Sequence, residues 1–215
     1  MIGRILTTAI AALWMAPASA ATLDFSGPIC VGGLGGACAS GFFIDQSYGD
    51  IAGQVDVQWD GDSATAGLQN AHYWAYGYET LTDVAYSGAN STLTIMFTAL
   101  AGFGVSLTGF DIANYANRAL STTVVVTDMA TNTVLFDSGT FTPENDCPAD
   151  VCSFSSTLWT SNTGISLAFG PDSYNTGIDN ITYDTYSIAA VPVPASGLLL
   201  LGGLFGLSRV RRRKS

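Results

Sequence analysis

Positive charge is almost absent from the central part of this chain of 215 residues. Of its seven Lys and Arg residues, Arg118 is the only one between residues 21 and 190, whereas all 17 Asp and Glu residues lie there. One cation against 17 acids gives this stretch a formal charge of −16, with His72 neutral. Such a field repels phosphate backbones and anionic lipids, so we expect no nucleic acid partner.

Catalytic motifs are scarce as well. His72 is the only histidine, and no Gly-x-Ser-x-Gly motif is present to hold the nucleophile of a hydrolytic triad. Glycoside hydrolysis needs only two carboxylates, but 17 acids make some such pair inevitable. Glu79 with Asp83, or Glu144 with Asp146, could supply them. We therefore expect a protein that is not an enzyme, and a glycoside hydrolase is a distant third hypothesis.

The N-terminal segment has the composition of an export signal. Arg4 precedes an apolar stretch at residues 5–15, and the small residues Ala18, Ser19 and Ala20 follow it. This order is typical of a secretory signal peptide that is cleaved after small residues. We predict a signal peptide over residues 1–20, with the Sec translocon and signal peptidase as partners, and an exported domain over residues 21–190.

The C-terminal segment, residues 191–215, has three parts in a fixed order. A proline box precedes an apolar stretch, and a basic cluster ends the chain. The box consists of Val191, Pro192, Val193, Pro194 and Ala195. A helix over residues 195–208 would span about 21 Å, short of the roughly 30 Å hydrocarbon layer. We predict one C-terminal transmembrane helix with its basic end in the cytoplasm, which is either a plain anchor or a processing signal.

These three parts together resemble the PEP-CTERM sorting tail of bacterial exported proteins, in the variant whose box reads Val-Pro-Leu-Pro-Ala. Val193 stands where that variant has Leu. The resemblance implies recognition by an exosortase-type transpeptidase, cleavage near the box, and delivery to the cell surface or to an exopolysaccharide matrix. Our first hypothesis is therefore a non-catalytic structural protein that is anchored in the membrane at least transiently and then lies at the cell surface or outside the cell.

The exported domain has the pattern of a β protein. Apolar and polar residues alternate at residues 55–59, 92–97, 105–110 and 163–169, which is the period of half-buried strands. Residues 134–142 predict a hairpin whose turn is Asp137-Ser138-Gly139. Ten or eleven short strands predict an all-β fold, a two-sheet antiparallel β-sandwich of jelly-roll type, with a barrel as the alternative.

Four cysteines in an exported chain favour disulfides. Three pairings are possible. Cys30 and Cys38 flank a glycine-rich loop, and Cys147 and Cys152 flank four residues, so two local disulfides are the simplest choice.

The segment at residues 177–183 resembles the closing strand of jelly-roll carbohydrate-binding modules, in which an Asp ligates a structural calcium ion. Strict alternation places Asp179 on the same face as Ile181 and Tyr183, where a carboxylate needs a partner. The resemblance implies that Ca²⁺ is held by Asp179 together with oxygens near Asp24, because first and last strands commonly meet in that fold. Alternatively, Asp179 caps a turn or is exposed.

Aromatic side chains are the candidates for ligand binding. Trp59, Trp74 and Tyr76 could stack on the faces of sugar rings, with nearby carboxylates as acceptors for sugar hydroxyls. The competing interpretation is that these rings belong to the core. The second hypothesis is thus a calcium-dependent carbohydrate-binding module at the cell surface, with an extracellular polysaccharide as its partner.

Overall fold

The computed structural model describes residues 19–31, 38–61, 70–88 and 90–188. Within these residues it contains twelve strands in two antiparallel sheets and almost no helix, which confirms the all-β prediction. Most of the predicted signal peptide and all of the predicted sorting tail lie outside the described residues. No helix in the described part of the chain is long and apolar enough to cross a membrane.

Seven strands form the larger sheet, in the order β10-β6-β12-β4-β3, with β1 also paired to β12 and β9 to β6. They are β1 (Ala20–Leu23), β3 (His72–Trp74), β4 (Val84–Tyr86), β6 (Phe103–Asn114), β9 (Val151–Ser155), β10 (Thr160–Ser161) and β12 (Thr176–Ser187). The smaller sheet has the order β2-β5-β11-β7-β8. Its strands are β2 (Val55–Asp60), β5 (Leu93–Ala99), β7 (Thr122–Asp128), β8 (Thr133–Phe141) and β11 (Gly164–Gly170).

The helices are short. A single α-helical turn, α1, covers Pro143–Asp146, and 3₁₀ turns cover Tyr115–Asn117 and Pro148–Asp150. Apolar side chains recur at the two-residue period that suits a sheet and not at the spacing of a helix face.

The main core lies between the two sheets. In β2, Val55, Val57 and Trp59 are buried while the residues between them are partly exposed, as the alternation predicted. The larger sheet contributes Leu107, Ile112 and other apolar residues to the same cluster. Because both sheets need a partner for one apolar face, they pack against each other as a β-sandwich. The finer assignment to the jelly-roll type stays a prediction.

Both disulfides are local. The structure pairs Cys30 with Cys38 and Cys147 with Cys152, which are the pairings that the spacing favoured. The second disulfide joins the end of α1 to β9.

The predicted hairpin at residues 134–142 is wrong, because these residues belong to a single strand, β8. The turn lies earlier, between β7 and β8, and Asp137 to Gly139 form an irregularity in the pairing with β7. Gly139 has φ of 62° and donates its N–H to Asp137 Oδ1, and Ser138 Oγ accepts from the Val124 N–H. A bulge of this kind needs the same residue types as a turn.

The first and last strands meet, as expected. Strand β1 pairs antiparallel with β12, with Leu23 opposite Ile181. Just before β1, Ser19 donates its N–H to Thr185 Oγ1 and accepts a hydrogen bond from the Thr185 N–H. Cleavage after Ala20 would remove these bonds and leave the pairing of Ala21 to Leu23 with β12 in place.

Candidate binding site

Strands β3 and β4 place aromatic side chains on the outer face of the larger sheet. Alternation along β3 and β4 directs Tyr73 and Ala85 into the main core, so Trp74 and Tyr86 lie on the opposite face. There they contact a second apolar cluster, separate from the main core. Its buried members are Tyr78, Leu81, Val84, Tyr86 and Ala113, and Trp74, Tyr115 and Val151 pack against them.

A pocket opens in this cluster. Five aromatic side chains line it: Trp74, Tyr78, Tyr86, Tyr115 and Tyr174. We call it the aromatic pocket. Its cavity volume is about 50 Å³. Since one water needs roughly 10–15 Å³ of such space, the pocket has room for a small chemical group and not for a large ligand. Tyr174 is 48% exposed, so solvent reaches the pocket on that side.

Two glycines allow the rings to approach the backbone. A Cβ on Gly177 of β12 would lie 2.8 Å from Cδ1 of Tyr78, and a Cβ on Gly77 would lie 2.7 Å from Cε2 of Tyr115. Gly77 also has φ of 94°, which favours glycine. The hydroxyl of Tyr78 donates to the carbonyl oxygen of Tyr174 at 3.0 Å, and this bond fixes the inner wall of the pocket.

The rings meet at steep angles. The ring of Trp74 is nearly perpendicular to that of Tyr86 (89°, centroids 6.0 Å apart) and to that of Tyr115 (88°, 6.0 Å). Tyr86 and Tyr174 make an angle of 73° at 5.9 Å. The rings therefore form walls around the cavity and not one flat platform.

One polar atom of this cluster has no partner. The Nε1–H of Trp74 is buried and makes no hydrogen bond within the described part of the chain. An unsatisfied buried donor costs about 1–3 kcal/mol. Trp74 lines the pocket with its ring, while its N–H is shielded from solvent.

An acid, Asp172, and a cation, Arg118, lie near the pocket. Burial raises the pKa of Tyr78 far above its usual range, with smaller contributions from neighbouring tyrosines and from Asp172. Burial also raises the pKa of Tyr86. Both hydroxyls thus stay neutral at physiological pH. Arg118 donates from Nη1 to Oδ1 of Asn175, which follows Tyr174 in the chain, so the domain's single Lys or Arg residue is held in a hydrogen bond.

Aromatic residues continue from the pocket to His72 of β3 and to the exposed Phe43 beside it. Phe43, which is 47% exposed, forms a β-bridge with His72, and their ring centroids are 4.6 Å apart. The centroids of His72 and Tyr86 are 5.2 Å apart. We call Phe43, His72 and Tyr86 the Phe43 row. It extends the aromatic surface beyond the pocket.

The structure places the three predicted sugar-stacking residues in different environments. Trp59 has no exposed surface and donates from Nε1 to the carbonyl oxygen of Tyr48, so it is a core residue and its prediction as a binding residue is wrong. Trp74 lines the pocket, and Tyr76 is 66% exposed with its ring centroid 6.1 Å from that of Trp74.

Sequence reasoning missed Tyr86, Tyr115 and Tyr174 as pocket residues. They come from β4, from the 3₁₀ turn after β6 and from the segment before β12. No local pattern connects residues so far apart in the chain; only the pairing of β12 with β4 and β6 brings them together.

The predicted face of Asp179 is wrong because β12 has a bulge. Its pairing with β6 shifts between Asp179 and Thr182, and Asn180 has φ of 50°. Ile178, Ile181 and Tyr183 therefore all join the main core, and Asp179 points to the other side of the sheet.

Asp179 is nevertheless only 4% exposed and lies among other acids. Its pKa is raised to about 7, mainly by burial and to a smaller extent by the charges of three other acids. A hydrogen bond from the Asn180 N–H lowers the pKa and offsets part of this rise. The three acids are Asp111, Asp24 and Asp83. Within the described residues, no group of three or more His, Cys, Asp or Glu side chains is arranged to hold a metal ion. Calcium at Asp179 and Asp24 thus stays a prediction from the sequence.

No protein-family model and no curated protein sequence matches the chain. Among solved structures it is similar to a family 29 carbohydrate-binding module, with 12% identity, 79% of this chain and 90% of the other covered, and a TM-score of 0.36. A family 29 module from Piromyces equi has 13% identity, with 82% and 97% covered and a TM-score of 0.34. A family 16 carbohydrate-binding module has 16% identity, with 53% of this chain and 84% of the other covered and a TM-score of 0.31. Similarities this weak carry no conclusion about the ligand of this chain.

Proposed function

We propose that the exported domain is a non-catalytic carbohydrate-binding module and that the aromatic pocket is its binding site. The observation that carries this proposal is a pocket with aromatic walls, one of which, Trp74, has a buried Nε1–H that finds no partner among the described residues. Sugars combine apolar C–H faces, which pack on rings, with hydroxyl oxygens, which accept from such a donor. A ligand of this kind satisfies both properties of the site.

The size of the pocket indicates how a glycan would lie. A cavity of about 50 Å³ has room for a few waters, and we propose that it accepts a substituent of the glycan. The ring itself would lie at the mouth, against the exposed faces of Tyr76 and Tyr174. The Phe43 row offers further contacts beyond the pocket, so we propose a polysaccharide and not a monosaccharide as the ligand.

Charge narrows the class of polysaccharide. The formal charge of −16 over residues 21–190 repels uronic acid and sulfated chains at long range. The ligand is therefore a neutral or cationic polysaccharide.

Export and sorting belong to the same proposal. The signal peptide at residues 1–20 and the tail at residues 191–215 would deliver the domain to the cell surface or its matrix, where such polysaccharides occur. The alternative is a structural cargo without a ligand. Mass spectrometry of the C-terminus of the exported protein tests the sorting: loss of the basic cluster supports processing by an exosortase-type transpeptidase, and an intact Lys214 in the membrane fraction indicates a plain anchor.

Calorimetry with neutral oligosaccharides and a glycan array test the binding. We expect Trp74→Ala to abolish binding and Trp74→Phe, which keeps a ring but lacks the N–H, to weaken it by about 10-fold, the equivalent of one lost hydrogen bond. Val134→Ala is the matched control, because Val134 is an exposed apolar residue on the other sheet. Binding that is equal in all variants, or absent from wild type, would refute the proposal.

A further inference from the structure

The walls of the aromatic pocket resemble a box more than a stacking surface. Sugar stacking uses one broad, accessible ring face. Here Trp74 stands at 88–89° to two neighbouring tyrosine rings, and Tyr78 closes the inner side with only 2% of its surface exposed. Rings therefore border the cavity from several directions.

Such an enclosure suits a cation. The face of an aromatic ring is the negative end of its quadrupole, and several rings around a small cavity attract an ammonium group that has lost its water. The cavity of about 50 Å³ has room for a few waters, which is enough for a nitrogen with its methyl groups.

The surroundings favour positive charge. Asp172 lies near enough to contribute to the raised pKa of Tyr78, and its carboxylate accepts from Nδ2 of Asn175 at 2.8 Å. Between residues 21 and 190 the sequence has no Lys or Arg except Arg118, whose guanidinium is exposed and bonded to Asn175.

The polar groups of the pocket indicate which cation. The indole N–H of Trp74 is a donor only, and ring faces are weak acceptors, so the N–H groups of a primary amine would depend on the tyrosine hydroxyls alone. A quaternary methylammonium has no N–H to satisfy. An oxygen next to it in the ligand could accept from Trp74 Nε1.

We propose that the aromatic pocket is a cage for a methylated ammonium group that carries a nearby oxygen, as choline does. This rests on the proposed function only in that the same pocket is the binding site. The group could belong to a small solute or to a substituent on a surface polymer or lipid; the recognition chemistry is the same.

Calorimetry and tryptophan fluorescence of the full chain test the cage, with choline and with 3,3-dimethylbutanol, its uncharged counterpart of equal shape. We expect choline to bind at least about 10-fold more tightly, because cation–π attraction adds to the same apolar contact. Equal binding of the two compounds, or binding of neither, overturns the inference. Phosphocholine and phosphatidylcholine vesicles then distinguish a free solute from a lipid headgroup.

Variants locate the charge effect in the pocket. We expect Tyr115→Leu, which keeps an apolar wall, to lower choline affinity by about 10-fold and to leave affinity for the uncharged compound within about two-fold. Asp172→Asn should weaken choline binding several-fold at low salt and less at high salt. An equal loss for both compounds in Tyr115→Leu contradicts the cage.

The outcomes separate the two proposals. Choline binding without oligosaccharide binding supports the cage and refutes the polysaccharide. Oligosaccharide binding with no preference for choline over its uncharged counterpart supports the module and refutes the cage.

Discussion

At the scale of single residues, two buried polar groups distinguish this domain from an ordinary sandwich. The Nε1–H of Trp74 has no partner among the residues that the structure describes, and Asp179 is a buried carboxyl surrounded by acids. Both residues lie on the outer face of the larger sheet, away from the main core. Each is destabilising by itself, since burial of a polar group is favourable only with a partner.

Asp179 gives the domain a specific pH dependence. Its pKa rises from 3.8 in the unfolded chain to about 7 in the folded domain. The folded state thus binds the proton more tightly, so the stabilising contribution of protonated Asp179 is full below about pH 4 and is lost as the pH rises to about 7. We expect Asp179→Asn to remove this loss and to melt at a higher temperature than wild type at about pH 8. Thermal melts across this pH range measure it.

The converse result is equally clear. If Asp179→Asn and wild type lose stability in parallel between about pH 4 and pH 7, Asp179 does not titrate in that range. Three acids have pKa values below the usual 3.8, so their contribution to the pH dependence of stability falls below about pH 4, outside this range. They are Asp24, Asp45 and Asp128.

At the scale of elements, strand β12 connects the core to the pocket. The strand has a bulge at Asn180. Ile181 and Tyr183, after the bulge, lie in the main core, and Gly177, before it, leaves room for Tyr78 on the outer face. A glycine at this position is required by a ring that lies against the backbone, and not by the backbone conformation itself.

Gly177→Ala tests this role. The new Cβ would lie 2.8–2.9 Å from Tyr78 and Val84, so we expect a loss of about 1–3 kcal/mol in the free energy of unfolding and weaker binding in the pocket. Gly88→Ala is the control, because its Cβ would meet only Ser91 Oγ at 3.7 Å. Denaturant unfolding compares the two. Equal stability of both variants would show that Tyr78 moves aside without cost.

At the scale of the whole molecule, the charge of −16 over residues 21–190 opposes folding, because the compact state brings like charges together. Salt screens this repulsion over about 10 Å at roughly 0.1 M. We expect the melting temperature to rise by a few degrees with sodium chloride. A melting temperature that is independent of salt would show that the acids are already compensated.

The same measurement tests calcium. At matched ionic strength, a melting temperature that is higher in calcium than in sodium would support the predicted site at Asp179 and Asp24, provided that Asp179→Asn abolishes the difference. Equal melting temperatures in calcium and chelator would refute it.

The sequence by itself determined the all-β class, the strands β2, β5, β6 and β11 and the acidic composition, and it favoured the two local disulfides. These are local properties, since alternation, composition and short spacings are visible within a few residues. Tertiary structure decided which aromatic residues meet. Trp59 and Trp74 look alike in sequence, yet one fills the core and the other lines a pocket with Tyr115 and Tyr174. That choice depends on strand pairing across about 100 residues and on a single bulge in β12, which no local pattern specifies.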